Sequence, residues 1–288
     1  MILMRLYNNF SSHLPKEIKE CLHQTVSRIT SFKSGDFLIE ELFRPSTHLL
    51  NKGGKLLRPT LLFLGAAAID ENGKNLIDLA AAIELLHVSS LIHDDIIDKG
   101  EVRRGVGTVN KKYGDNIALL AGNALISKAI HLSSKYGREV MDAVSSTALQ
   151  MSAGELLDYQ SKMKGNGTDM DEYLEIAKLK TAALTGTSCN IAAVYKKSSA
   201  KAALYKYGFN LGIAFQIRDD MIDFMEPNHV RSGTNIVTLI KKKYNTNKDR
   251  ALEKAAKLNH YYIQEALSKI EGGRMEILKP YAKMIEVG

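Results

Sequence analysis

The sequence predicts an all-α protein, a single-domain bundle of roughly ten or more helices over residues 1–288. Apolar residues recur three and four positions apart almost everywhere, which is the period of a helix with one buried face, and no sustained apolar and polar alternation indicates strands. Only 5 residues are Pro, and no segment rich in Pro, Gly and Ser marks a linker. With 45% apolar residues, a chain of this length can bury one large core.

Helical periodicity and helix-start signals locate the individual elements. In chain order, helices are expected near 15–30, 36–51, 59–70, 75–99, 115–134, 138–163, 170–196, 200–225, 248–271 and 274–286. Pro59 suits the first position of a helix, and the side chains of Asp36, Asp115 and Asp171 suit helix starts.

Composition limits the class of function. Lys and Arg exceed Asp and Glu by 39 to 32, a net charge of +7, which favours an anionic partner. Much of the excess lies in KKKYNTNKDR and EKAAK, where a solvated helical face is the simpler interpretation, and nucleic-acid binding is not expected.

No apolar run approaches the roughly 20 residues of a membrane span, so a cytoplasmic protein is expected. Cys21 and Cys189, the only cysteines, are expected to be free and buried.

Two copies of one acidic pattern carry most of the functional information. They are Asp94, Asp95 and Asp98 in LIHDDIID, and Asp219, Asp220 and Asp223 in QIRDDMID. The first and last member of each set lie on one face of a helix, so their like charges repel each other. Each set also lies near the C-terminal end of its helix, whose negative dipole end disfavours carboxylates. Both sets interrupt apolar stretches, which argues against a merely solvated face. Mg²⁺ would offset the repulsion, since it binds carboxylates together with substrate phosphate oxygens.

Basic residues accompany the acidic sets. They are Lys55 and Arg58 in GGKLLRP, and Arg103 and Arg104 in VRRG. In the first motif, Gly53 and Gly54 allow close approach of a ligand to the backbone, and a helix start favours an anion. In the second, the planar guanidinium groups match phosphate oxygens. Both motifs are therefore expected to bind an oligophosphate.

Four further polar residues are candidates for the site. His87 lies two helical turns before Asp94 and faces the same way, although a satisfied core histidine is the alternative interpretation. Lys180 lies mid-helix among Ala, Leu and Thr, where burial is costly without an anion. Thr181 and Gln216 would place oxygen dipoles near developing positive charge.

Together these motifs resemble the trans-isoprenyl diphosphate synthases, also called polyprenyl synthases. The resemblance runs from about Lys52 to Asp223, in the order GGKLLRP, ELLHVSSLIHDDIID, VRRG, LKTAAL and AFQIRDDMID. It implies the isoprenoid synthase fold, with helices around a large central cavity, and a homodimer. It also implies a cluster of Mg²⁺ ions between the aspartate motifs, roughly three, for which Mn²⁺ can substitute.

The resemblance implies a role for each motif residue. The metal ligands would be Asp94, Asp98 and Asp219, with Asp95, Asp220 and Asp223 as further or water-mediated partners. The allylic diphosphate would be held by Arg103 and Lys180, and isopentenyl diphosphate by Lys55, Arg58, His87 and Arg104. Thr181 and Gln216 would face the reacting carbons.

The implied reaction is condensation of isopentenyl diphosphate with an allylic diphosphate. The allylic substrate ionises, its 1′ carbon is attacked by the double bond of isopentenyl diphosphate, and a proton is lost. Ser89 and Ser90, about one turn before Asp94, would form the floor of the elongation pocket, and their small size predicts a product of at least C20. Peripheral membrane contact during product release is a further expectation.

Two alternatives stay open at this point. A class I terpene cyclase normally carries an Asn, Ser and Glu pattern in place of a second DDxxD, which this chain does not show. A non-catalytic subunit is compatible with FMEPNHVRSGTNIVTLI, which is shorter than the family's segment and lacks its GKxxG. Arg231 is the expected substitute for the missing lysine. Asn123 and Glu155 stand where the family usually has Asp and Gln.

Overall fold

The computed structural model describes residues 10–164, 168–225 and 234–287. Its α-helices are α1 (Lys16–Thr30), α2 (Glu40–Thr47), α3 (Leu57–Ala68), α4 (Ile77–Ile97), α5 (Val109–Tyr113), α6 (Asp115–Ser134), α7 (Arg138–Met163), α8 (Met170–Ala177), α9 (Ala183–Tyr195), α10 (Lys201–Met225), α11 (Ile236–Lys243), α12 (Lys248–Leu267) and α13 (Lys279–Ile285). Short 3₁₀ segments are Ser34–Phe37, Leu50–Lys52, Gly73–Leu76 and Gly273–Leu278.

The core forms where the most apolar helices pack against one another. Helix α4 packs on α6, α9 packs on both α3 and α10, and α10 packs on α12. Residues 79–86 of α4 are buried on every side, as expected for a helix without a polar face. The first aspartate motif lies at the C-terminal end of α4. The apolar part of the helix therefore fixes the position of that acidic end.

A second apolar cluster lies among α8, α10, α11 and α12. Helix α10 joins it to the main core, because Leu211 and Ala214 belong to the main cluster while Ile213 and Ile217 belong to the second. The helix that carries the second aspartate set is thus held on two sides.

Several predicted helix boundaries are wrong. The helix expected at 36–51 is broken after Phe37, because Leu38 has a φ of +70°. The helix expected at 274–286 begins as a 3₁₀ segment and becomes α-helical only at Lys279. Pro59 is the third residue of α3, still in the first turn, where a missing N–H removes no helical hydrogen bond.

Helix α11 was not predicted at all. It is short, and its three consecutive lysines hide the apolar face formed by Ile236, Val237 and Ile240. Asn235 caps it, because the Asn235 side chain accepts hydrogen bonds from the backbone N–H groups of Val237 and Thr238.

The chain also contains a β-hairpin, which corrects the expectation of no strands. Strand β1 (Val102–Arg103) pairs with β2 (Val106–Gly107) in antiparallel register. The two turn residues, Arg104 and Gly105, have φ angles of +52° and +75°, as a two-residue hairpin of matching twist requires. Strands of two residues are too short to show an alternating pattern.

Two helical segments, Gly73–Ile97 and Asp115–Ser134, are long and apolar enough to cross a membrane by length and composition alone. This finding corrects the expectation that no apolar run reaches that length. However, 67% of the apolar window in the first segment and 39% in the second are buried inside the fold, and buried core helices pass the same test. Cys21 and Cys189 are free and buried, as predicted.

Candidate active site

Neighbouring aspartates at the end of α4 have different partners. Both oxygens of Asp95 accept hydrogen bonds from Arg103, Nε to Oδ2 at 2.7 Å and Nη2 to Oδ1 at 2.6 Å. Asp95 is buried, so this bidentate pair is shielded from water. The carboxylate predicted as a further metal partner therefore anchors Arg103. Arg103, predicted to hold a diphosphate, is correspondingly engaged in an ion pair.

Lys180 lies in an irregular turn between α8 and α9. Residues Lys178–Ala182 form a single π-helical turn, a feature that is frequent at functional sites. Gly154 of α7 packs directly on this turn, since a Cβ atom there would lie 2.5 Å from the backbone nitrogen of Lys180. On the other side, a Cβ atom on Gly212 of α10 would lie 2.5 Å from the Cα atom of Ala182. Two close helix contacts thus fix the position of Lys180.

Lysines and carboxylates of α4, α7 and the π-helical turn form an acid–lysine array, consisting of Asp94, Asp98, Glu155, Asp158, Lys162 and Lys180. The Lys180 ammonium lies 2.5 Å from Glu155 Oε2, 2.9 Å from Asp158 Oδ2 and 3.8 Å from Asp94 Oδ1. The Lys162 ammonium lies 2.7 Å from Asp98 Oδ1 and 3.3 Å from the same Asp158 oxygen. Four carboxylates thus share two ammonium groups.

The array perturbs the acidity of its members. Burial raises the pKa of Asp94 to about 8, with Lys180 lowering it and Glu155 raising it further. Burial alone would lower the pKa of Lys180, but the charges of Asp94 and Glu155 raise it above its ordinary value. Lys180 is therefore charged at neutral pH, whereas burial keeps the pKa of Asp94 above its ordinary value despite the nearby Lys180.

In the second acidic set, Asp220 is bound to the protein. Its carboxylate accepts hydrogen bonds from the Tyr173 hydroxyl, the Gln216 side-chain amide and the backbone N–H of Ile236, each at 2.9 Å. Burial raises its pKa to about 7, and these hydrogen bonds act to lower it. Asp220, predicted among the metal partners, thus ties the start of α11 to α8 and α10.

Thr181 and Gln216, both predicted to face the reacting carbons, contact each other. The Thr181 hydroxyl donates to Gln216 Oε1 at 2.9 Å, and Gln216 Nε2 donates to Asp220 Oδ1. The two bonds fix which way the amide points. The Thr181 oxygen keeps its lone pairs free to face positive charge.

Arg104 is held over the loop that follows the 3₁₀ segment Leu50–Lys52. Its guanidinium donates to the carbonyl oxygens of Gly53 and Leu49, and lies 3.7 Å from Glu84. A Cβ atom on Gly54 would lie 2.9 Å from Arg104 Nη2, so a side chain there would displace the arginine. Sequence reasoning missed Glu84, although a lone buried carboxylate inside the apolar stretch of α4 is the signal that could have revealed it.

Two arginines have guanidinium nitrogens without an acceptor among the described residues. Within the described part of the chain, Arg58 Nε and both terminal nitrogens of Arg218 are buried and have no hydrogen-bond partner. Burial lowers the pKa of both guanidinium groups, while nearby carboxylates, including Asp219, act to raise it. Arg218 was not predicted, because it directly precedes the first aspartate of the second motif and was not considered apart from that motif. Buried, incompletely bonded guanidinium groups fit an anion.

The remaining predicted residues occupy defined positions. Lys55, His87, Asp219 and Asp223 are half-buried. Ser90, one turn before Asp94, is also half-buried and donates to the His87 carbonyl oxygen at 2.8 Å. Ser89 is buried and donates to the Gly122 carbonyl oxygen of α6 at 3.0 Å, so it faces a neighbouring helix. Arg231 lies outside the described residues.

The acidic side chains fit Mg²⁺ by chemistry. Carboxylate oxygens are its preferred protein ligands, and burial raises the pKa of Asp94, an effect that a divalent cation beside it would oppose. Their arrangement differs from a chelating one, since among residues 10–164, 168–225 and 234–287 no group of three or more His, Cys, Asp or Glu could hold a metal ion. Lys162 and Lys180 supply positive charge to these carboxylates instead.

Comparisons with known proteins agree with the fold and with the family that the motifs resemble. The family model for polyprenyl synthetase matches residues 39–269. The chain is 35% identical over 277 residues to geranylgeranyl diphosphate synthase of Methanosarcina mazei, covering 92% of this chain and 82% of that protein. It is 31% identical over 228 residues to geranylfarnesyl diphosphate synthase of the same organism, covering 78% and 77%.

A solved structure agrees as well. Geranylgeranyl pyrophosphate synthetase from the archaeon Geoglobus acetivorans superposes with a TM-score of 0.82 at 27% identity, covering 93% of this chain and 97% of that one. The helical bundle with its two aspartate motifs is thus an isoprenoid synthase fold. The chain belongs to the polyprenyl synthetase family.

Proposed function

We propose that this protein is a prenyltransferase that condenses isopentenyl diphosphate with an allylic diphosphate and forms a product of C20 or longer. The observation that carries the proposal is the presence of two separate sets of cations. Lys162 and Lys180 accompany the first aspartate motif, whereas Arg58, Arg104 and Arg218 lie near Glu84 or Asp219. Two such sets suit two anionic substrates. The names of the relatives support the product class.

Binding of the substrates follows from these cations. Arg58 and Arg104 would bind isopentenyl diphosphate, with the buried Glu84 orienting Arg104. Lys180 would hold the allylic diphosphate. Asp94, Asp98 and Asp219 would hold Mg²⁺, which supplies positive charge to the leaving diphosphate.

The reaction needs a site that tolerates a carbocation. When the allylic C–O bond ionises, the oxygens of Thr181 and Gln216 would face the positive charge, fixed by their mutual hydrogen bond. The double bond of isopentenyl diphosphate then attacks, and the released diphosphate accepts the proton. Apolar side chains of α4 and α10 exclude water, which would otherwise quench the cation.

The alternatives are less well supported. A terpene cyclase uses one diphosphate substrate, whereas this chain has a second cation set and two complete DDxxD motifs. A non-catalytic subunit would not need the Thr181, Gln216 and Asp220 hydrogen-bond chain. The relatives compared above carry synthase names.

We further propose a cytoplasmic homodimer that touches a membrane surface when it releases product. Exposed apolar side chains on α6 and α7 support the dimer. The net charge of +7 supports transient contact with anionic lipid.

The test is incubation of the purified protein with labelled isopentenyl diphosphate, Mg²⁺ and allylic primers from C5 to C20, with products sized after dephosphorylation. We expect extension of a C15 primer to at least C20. Asp94→Ala should lower turnover about 10³-fold or more, since it removes an expected metal ligand. Asp142→Ala, an exposed aspartate on α7, is the matched control. If the folded protein incorporates no label with any of these primers, the proposal is refuted. A product ladder that ends at C15 would refute only the predicted chain length.

A further inference from the structure

Lys162 is a charged residue of the site that no sequence motif marked. It lies on α7 one turn after Asp158, and its ammonium group contacts Asp98 at 2.7 Å and Asp158 at 3.3 Å. Its side chain is 21% exposed, so solvent screens these contacts only in part. Lys162 therefore bridges α7 to the last aspartate of the first motif.

The position of Lys162 conflicts with the expected role of Asp98. A divalent cation on Asp98 would lie close to the ammonium group, and two cations on one carboxylate repel each other. Lys180 is held by three carboxylates, so the loss of one leaves it well bound. Lys162 would keep only Asp158. Because the aliphatic part of the Lys162 side chain is long and flexible, the ammonium group can reorient toward a new anion while it remains in contact with Asp158.

We propose that Lys162 is an exchangeable counter-ion: it neutralises Asp98 in the metal-free protein, and binds the diphosphate of the allylic substrate once Mg²⁺ takes that carboxylate. The inference rests on the proposed function for the identity of the substrate. The charge balance supports the exchange, since the array holds four carboxylates and two ammonium groups before any ligand binds. An incoming diphosphate adds negative charge next to a lysine that has just lost a partner.

Opposite effects on two ligands distinguish this role from a structural one. Lys162→Met removes the ammonium group that competes with Mg²⁺, so Mg²⁺ alone should bind about threefold to tenfold more tightly by calorimetry. Inorganic diphosphate in the presence of saturating Mg²⁺ should bind about tenfold more weakly. In steady-state assays, the KM for the allylic diphosphate should rise while the KM for isopentenyl diphosphate stays constant.

Matched variants complete the test. Lys164→Met removes an exposed lysine two residues further on, which pairs with Glu172, and should change neither affinity. Lys162→Arg keeps the charge and should restore diphosphate binding. If Lys162→Met unfolds, Lys162→Gln replaces it in the same titrations.

Two results would overturn the proposal: Mg²⁺ binding that is unchanged or weaker in the variant, or diphosphate binding that is unchanged. A merely structural lysine would lower the melting temperature without tightening Mg²⁺ binding. Because both titrations use ligands that do not react, they remain decisive even if the wild-type protein proves unable to extend a primer, which would refute only the proposed function.

Discussion

Adjacent aspartates in this chain perform different tasks. The second residue of each DD pair, Asp95 and Asp220, is buried and bonded to protein groups. Helical geometry explains this, because residues four apart share a face while the next residue is rotated by about 100°. All six carboxylates were predicted as metal partners on the ground that they share a helix face. Asp95 and Asp220, however, do not lie on the face that their motif's first and last aspartates share. Asp95 and Asp220 are better described as residues that position Arg103 and α11.

The same geometry separates Ser89 from Ser90. Ser90 shares a face with Asp94, so Ser90→Phe should shorten the longest product in the primer assay, with little change in turnover. Ser89 instead fills a contact with α6, and Ser89→Phe should cost about 1–3 kcal/mol of stability by overpacking, measured by urea unfolding. An unchanged product ladder for Ser90→Phe would remove Ser90 from the pocket wall.

At the scale of elements, the π-helical turn depends on the helices that pack against it. Gly154 and Gly212 allow α7 and α10 to approach its backbone more closely than any side chain would permit. This approach places Lys180 beside Glu155 and Asp158. The π-helical turn and the two glycines that pack against it, Gly154 of α7 and Gly212 of α10, thus form one structural unit.

Gly154→Ala tests that unit. Its new methyl group would collide with the backbone at Leu179 and Lys180, so we expect a loss of about 1–3 kcal/mol in unfolding free energy and at least a tenfold fall in turnover. Ser152→Ala, on an exposed part of the same helix, should leave both values near wild type. A fully active Gly154→Ala protein would show that the position of Lys180 is not limiting.

At the scale of the whole molecule, the surface carries an apolar stripe, defined by Leu149, Leu156 and Met163 of α7 together with Ile117 and Leu120 of α6. The three α7 residues are seven apart and therefore lie along one side of the helix. They are 71%, 55% and 67% exposed. Apolar surface repeated along two helices indicates a protein interface, which fits the expected homodimer.

Negative charges introduced into the apolar stripe should separate the subunits. The double variant Leu149→Glu, Leu156→Glu is expected to elute as a 31.9 kDa monomer by light scattering, and the wild type at twice that mass. Tyr261→Glu, at an exposed position on α12, is the control and should leave the mass unchanged. A wild-type protein that is already monomeric at micromolar concentration would contradict the dimer.

Sequence reasoning succeeded where a signal is local. Helical period located most elements, and motif spacing located the aspartates. It failed for Lys162 and Glu84, because their roles depend on partners remote in sequence; Lys162 and Asp98 are 64 positions apart. The π-helical turn was invisible for a similar reason, since glycines on other helices permit it.

The hairpin places two arginines that were predicted to bind diphosphate on consecutive residues. Arg103 extends to Asp95 of the first motif, and Arg104 extends to Glu84 and the Gly53 loop. Because Arg103 and Arg104 are adjacent in the chain, a backbone shift that accompanies diphosphate binding at one of them would also move the other. Under the proposed function, occupancy of one diphosphate site should therefore change the affinity of its neighbour, and by the same factor in both directions, so that the two substrates bind cooperatively.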